Sequence, residues 1–174
     1  MGAADLQSAL VALDLAIQTE KDGREFYLRA AERSSDAGGK VLFVSLADDE
    51  LEHLRLLESQ REALATEGQW LPPSKLDEET APDEAEGVPL FSRERLAENV
   101  SAYTSDLSAL RLAFLIEKDA VSFYTRAAAE TEARHGKEVY WRLAEMETEH
   151  QRILEEEYNA LAKEFWGNMG FEPF

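Results

Sequence analysis

Residues 19–31, TEKDGREFYLRAA, and residues 116–128, IEKDAVSFYTRAA, are two versions of one pattern. Glu20 lies 97 residues before Glu117, and the same interval separates Glu50 from Glu147 and His53 from His150. In each half a lone glutamate is followed thirty residues later by Glu-x-x-His. An interval kept across charged, aromatic and small positions alike marks a duplicated unit, here a helical hairpin.

At helical period Leu6, Leu10, Leu13, Ile17, Glu20 and Tyr27 fall on one stripe, and Phe43, Leu46, Glu50, His53 and Leu57 on a second. Leu107, Leu110, Phe114, Glu117 and Tyr124 make a third; Tyr140, Leu143, Glu147, His150, Leu154 and Leu161 make a fourth. Four apolar stripes predict an all-α four-helix bundle, and each stripe carries glutamate into the core. A buried carboxylate without a partner is costly and otherwise takes up a proton. Four of them converging on one interior demand compensating positive charge, which two divalent cations supply.

Distances along the chain agree. From Glu20 the helix runs about 14 residues to a break at Ser34–Gly39, and the return to Glu50 takes about 12; at 1.5 Å per residue the arms are roughly 21 and 18 Å. Glu20 and Glu50 therefore arrive side by side, and Glu117 and Glu147 do the same across a break near Ala133–His135. A three-residue step turns about 300°, so both side chains of each Glu-x-x-His share one face. One glutamate from each of two helices plus Glu-x-x-His from each of the other two is the di-iron or di-manganese pattern of ferritin-like bundles. Glu132 and His135 repeat the spacing but fall at a predicted turn, and the repeat interval maps them onto Ser35 and Gly38. They are expected to be a decoy.

The chain has 174 residues, enough for one domain with a sizeable core, and no cysteine. Disulfides, a thiolate nucleophile, an iron–sulfur cluster and a cysteine zinc site are thereby excluded. A net charge of −18 argues against a nucleic-acid surface; most of the 36 acidic residues read as a well-solvated surface, with attraction of cations toward the site as the alternative. No apolar run is long enough for a membrane span, since Arg111 interrupts ALRLAFLI at 109–116. The start MGAADL lacks a basic region, so no signal peptide is expected, and Leu6 breaks the myristoylation pattern. A cytoplasmic protein, with neither nucleic acid nor membrane as partner, is the expectation.

A single domain over 1–174 is expected. Its first hairpin covers about 5–67, with helices at about 5–34 and 38–67, Gly38 and Gly39 in the turn and Gly68 as the stop. Residues at about 68–91 form an acidic, proline-containing crossover linker, which reaches about 75 Å extended against about 45 Å for a bundle helix. It can therefore cross the bundle end to end, and it equally permits exchange of hairpins between two chains. Ser92 is placed to cap a short helix at about 93–101. The second hairpin covers about 104–165, with helices at about 104–132 and 136–165 and Gly167 as its stop. In the tail at 166–174 Trp166, Phe171 and Phe174 are expected to pack on the bundle or on a partner subunit.

EKDGREFYLRAAE with LADDELEHLRLLE, and LAFLIEKDAVSFYTRAA with LAEMETEHQRILEE, resemble the two halves of the rubrerythrin-like branch of the ferritin superfamily. The resemblance covers both hairpins and leaves out the linker and tail. It implies a ferritin-like bundle of two repeated hairpins holding two iron ions joined by an oxo or hydroxo bridge. The implied ligands are Glu20, Glu50, His53, Glu117, Glu147 and His150, with Glu50 and Glu147 bridging. Manganese or zinc remains open from ligand type alone. Family activities include reduction of hydrogen peroxide and reaction of ferrous iron with oxygen. A homodimer is the expected assembly.

Two departures from rubrerythrins proper stand out. Their rubredoxin domain uses four cysteines and this chain has none, so peroxidase turnover calls for an external electron donor, a rubredoxin-like protein or another reductase. Their additional glutamate, one turn beyond the lone ligand of the second half and implicated in a ligand switch, is replaced by Ala120, whose repeat mate is Gly23. These small residues either keep space open beside the metals for oxidant or a bridging water, or serve close helix packing.

Tyr27 and Tyr124 lie seven residues beyond Glu20 and Glu117, and their side chains lean back toward the N-terminus. Each phenol either hydrogen-bonds a ligand carboxylate or simply packs in the core. Phe26, Phe43, Phe123 and Trp141 read as core or interface residues, and Asp22 and Asp119 as surface charges. The leading functional expectation is a di-iron oxidoreductase acting on peroxide or oxygen. The alternatives are a ferroxidase that oxidises Fe(II) and passes it on, and a non-enzymatic bundle stabilised by metal for interaction.

Overall fold

The computed structural model describes residues 3–72 and 100–168. Within them lie four long helices: α1 (Ala3–Arg33), α2 (Ala37–Glu67), α3 (Val100–Glu130) and α4 (Arg134–Asn168). α1 pairs with α2 and α3 with α4 as hairpins, and across the hairpin boundary α1 packs most closely on α3. This is an all-α ferritin-like four-helix bundle. No described helix is long and apolar enough to cross a membrane.

Local chemistry sets the turns. Asp36 has extended backbone and its carboxylate accepts the Gly39 N–H at 2.9 Å, so α2 begins at Ala37. Gly38 and Gly39 are therefore in the first helical turn rather than in the loop. Gly68 ends α2 in the left-handed region at φ 69°, with its N–H bonded to the Leu64 carbonyl. A residue with a Cβ is disfavoured there, which is why the stop signal reads correctly.

Elsewhere the boundaries differ from expectation. α3 is already helical at Val100, because nothing in VSAYTSD breaks a helix, and Asp106 is not its cap. Asp106 is instead buried against Ser34 and Asp36 at the end of the first hairpin, and burial raises its pKa. α4 runs through Gly167 to Asn168; a Cβ there would meet nothing within 4 Å, so neither crowding nor backbone geometry makes this glycine a stop. Most of the short helix at 93–101 lies outside the described residues, while residues 100 and 101 belong to α3. Most of the linker and tail residues 169–174 are likewise outside them. Trp166 continues α4 and is 47% exposed, edge-on to Phe165.

The apolar core falls into two clusters on either side of a polar layer. One gathers Leu13, Ile17, Leu54, Leu57, Leu64, Tyr124, Tyr140 and Leu143; the other gathers Tyr27, Leu42, Phe43, Leu46, Leu110, Leu154 and Leu161. Trp141, read from sequence as core or interface, is 45% exposed and outside both. Trp70, assigned by composition to the linker, is instead buried in the first cluster, edge-on to Tyr140. The chain leaving α2 is held there by Gln60, which accepts the Leu71 N–H at 2.9 Å.

Gly136 is what lets Trp70 dock. A Cβ at that position would stand 2.5 Å from the indole. Gly136→Ala is expected to displace Trp70 and destabilise the bundle by about 1–3 kcal/mol. Urea unfolding followed by tryptophan emission checks this; an unchanged midpoint with an unshifted emission maximum would contradict it.

Candidate metal centre

The polar layer between the apolar clusters consists of Glu20, Glu50, His53, Glu117, Glu147 and His150, all buried. α1 supplies Glu20, α2 supplies Glu50 and His53, α3 supplies Glu117, and α4 supplies Glu147 and His150. Their donor atoms form two groups, each within 4.8 Å: Glu20, Glu50, His53 and Glu147, and Glu50, Glu117, Glu147 and His150. Glu50 and Glu147 belong to both. All six side chains singled out by the repeat therefore meet in one place, with the two Glu-x-x-His glutamates in the shared positions.

Both imidazoles turn Nδ1 toward the carboxylates. His53 Nδ1 is 2.9 Å from Glu147, 3.2 Å from Glu20 and 3.3 Å from Glu50. His150 Nδ1 is 3.1 Å from Glu147 and 3.8 Å from Glu117. The rings lie nearly parallel, with centroids 5.4 Å apart.

Two tyrosines brace the layer from the opposite hairpin. Tyr27 on α1 donates its hydroxyl to Glu117, and Tyr124 on α3 donates to Glu20. Each ring is stacked at a matched repeat position, Tyr27 on Phe43 and Tyr124 on Tyr140. Spacing along one helix indicates that a phenol leans toward this depth; only the antiparallel packing of α1 on α3 decides that it reaches the other hairpin's glutamate.

The electrostatics are those of a crowded acidic core. Burial, then the hydrogen bond to Glu20 and the charge of Glu147, raise Glu50 well above the usual carboxylate range. Burial and the neighbouring Glu147 raise Glu117 in the same way. Burial would also raise Glu147, but His53 and His150 outweigh it and hold this carboxyl below its usual range. For His53, burial is overcome by Glu147, Glu20 and Glu50, so its pKa rises. His150 is pushed up to about 10 against burial, by Asp49, Glu147 and Glu117. Formally the four carboxylates carry −4 and the two imidazolium rings +2, so the layer is left with excess negative charge, in keeping with the raised pKa values of Glu50 and Glu117.

A divalent ion fits among these donor atoms. The donor set is oxygen-rich with two nitrogens, as iron or manganese prefers. Glu147 Oε1 is buried and has no well-aligned hydrogen-bond donor, although His53 Nδ1 is close. Beside Glu50 the helix carries Gly23, where a Cβ would stand 3.7 Å from the carboxyl group, an ordinary contact. Packing therefore does not demand glycine there.

Other residues sort simply. Glu132 is exposed in the α3–α4 turn and His135 pairs with Glu138 at 3.0 Å, away from the layer. Asp22 accepts a hydrogen bond from Gln18 on the surface. One neighbour of the layer has no counterpart in the sequence reading: Asp49, whose Oδ2 lies 3.4 Å from His150 Nε2. The repeat could have flagged it, because its mate is Met146 and the symmetry fails there.

Raised pKa values in the fold mean stability that is present at low pH and lost as pH rises through them. For His150 the loss spans from about 6.5 to about 10, and Glu50 and Glu117 act in the same direction. Chelator-treated protein is therefore expected to melt at progressively lower temperature between pH 6.5 and 9, and a divalent metal to remove most of the loss. Circular dichroism melts test this; a chelated protein whose Tm is flat or rises over that interval would refute it.

A family model described as ferritin-like domain matches residues 8–159. Comparison with curated proteins and with solved structures gives no match. The matched span takes in both hairpins and all six clustered glutamates and histidines, and the chain belongs to the ferritin-like domain family.

Proposed function

We propose that this protein is a non-haem di-iron carboxylate protein of the rubrerythrin type, an oxidoreductase that reduces hydrogen peroxide or dioxygen with electrons from an external donor. The observation that carries this reading is the pair of four-residue donor groups sharing Glu50 and Glu147. On this reading Glu20, Glu50, His53 and Glu147 hold one ion, and Glu50, Glu117, Glu147 and His150 hold the other. Two ferrous ions would each supply one electron, enough to take one peroxide and two protons to two waters.

The chain's own residues shape that chemistry. Four glutamates balance two divalent charges, so the loaded core is close to neutral and loading displaces protons into solvent. Tyr27 and Tyr124 orient Glu117 and Glu20 and keep hydroxyl protons beside the layer. The two apolar clusters keep bulk water from reaching it along the bundle axis. On this reading the small side chains of Gly23, which stands against Glu50, and Ala120 give a small oxidant its approach. With no cysteine in these 174 residues, the electron donor is a separate protein or module. Assembly as a homodimer, with or without exchanged hairpins, belongs to the same proposal.

Anaerobic titration of metal-free protein with Fe(II), then stopped-flow mixing with peroxide and separately with oxygen, tests this directly. Two equivalents per chain and a faster phase with peroxide are expected. Several Fe(II) consumed per chain with accumulating ferric product would mean a ferroxidase instead. Metal-dependent stability with no reaction toward either oxidant would mean a structural bundle.

Filling the small positions gives a second test. Gly23→Leu with Ala120→Met is expected to slow the oxidant phase about tenfold or more while metal content stays at two per chain. Unchanged kinetics at full loading would assign these residues to helix packing alone.

A further inference from the structure

The duplicated halves place the same ligands at the same depth, yet the two imidazoles are held differently. His150 Nε2 lies 3.4 Å from the Asp49 carboxylate, which reaches across from α2. His53 Nε2 is buried and has no hydrogen-bond partner among the described residues. The difference follows from one repeat position: Asp49 precedes Glu50, whereas Met146 precedes Glu147 and offers only a thioether.

That difference bears on metal affinity. An acceptor at Nε2 keeps the proton there, leaves the Nδ1 lone pair for a metal and fixes the ring plane. The Asp49 carboxylate stands within ion-pair distance of His150 Nε2, placed to serve as that acceptor, and His150 Nδ1 already faces Glu147 and Glu117. His53 would have to bind a metal through Nδ1 with a buried Nε2–H left unsatisfied. The geometry points to two inequivalent subsites: that of His150, held by Asp49 as a positioning residue, fills first and binds tightly, while that of His53 fills second and exchanges its metal. This inference rests on the di-metal reading proposed above but adds an order of loading and a residue responsible for it.

The test uses metal-free protein without oxygen. Co(II) is added against a competing chelator and followed by visible absorption, and Zn(II) is added with long-range 1H–15N spectra of the imidazoles. With three histidines in the chain and His135 part-exposed and apart from the layer, the spectra are simple to assign. Two resolved steps are expected, with His150 Nδ1 shifting in the first equivalent and His53 Nδ1 in the second. Asp49 is half exposed, so Asp49→Leu should fold; it is expected to weaken the first step about 10–100-fold and leave the second in place. Asp49→Asn, which keeps an acceptor oxygen, should lose less, and Met146→Asp should tighten the second step.

Two indistinguishable steps with both imidazoles shifting together would overturn the inequivalence and leave the di-metal function standing. So would an Asp49→Leu protein that binds as the parent does. Failure to bind either Co(II) or Zn(II) would overturn both.

Discussion

Four carboxylates and two imidazoles share one buried layer, and the rest of the bundle is arranged around making that tolerable. Each buried ionised group costs several kcal/mol after relaxation unless it is paired. The two histidines offset at most two of the four charges. Burial and the neighbouring carboxylates accordingly raise the pKa of Glu50 and Glu117. Such an arrangement stores a demand for cations, and it puts the demand where six side chains already bring their donor atoms together. A fold selected only for stability would do better with apolar side chains at these depths, as the flanking positions of each stripe have.

The duplication explains how the layer is built from little information. One hairpin delivers a glutamate and a Glu-x-x-His to a common height; a second copy, packed antiparallel through α1 and α3, delivers the same set from the other side. The reciprocal bonds of Tyr27 to Glu117 and Tyr124 to Glu20 fasten the hairpins to each other through the site itself. The matched stacks on Phe43 and Tyr140 hold the rings that make those bonds. Departures from the symmetry then stand out as informative: Gly23 against Ala120, and Asp49 against Met146.

Much of this was legible along the chain because helical periodicity is local. Spacing of three, four and seven residues fixes which side chains share a face, so the four stripes and the helical class followed from pattern alone. The Gly68 stop was readable because a left-handed residue favours glycine. Gly167 was misread for the complementary reason, since a glycine in open helical backbone carries no signal that it does not end the helix. Trp70 sits in a proline- and acid-rich stretch, and only the gap above Gly136 shows that it belongs to the core.

The sequence by itself determined the helices, the duplication and the depth at which each glutamate and histidine enters the core, because all of these depend on intervals along single helices. Tertiary structure decided which atoms meet: the sharing of Glu50 and Glu147 between two donor groups, the crossing of each tyrosine to the other hairpin, and the approach of Asp49 to His150. These depend on the relative rotation and height of helices far apart in the chain, which packing across the bundle sets and no local interval encodes.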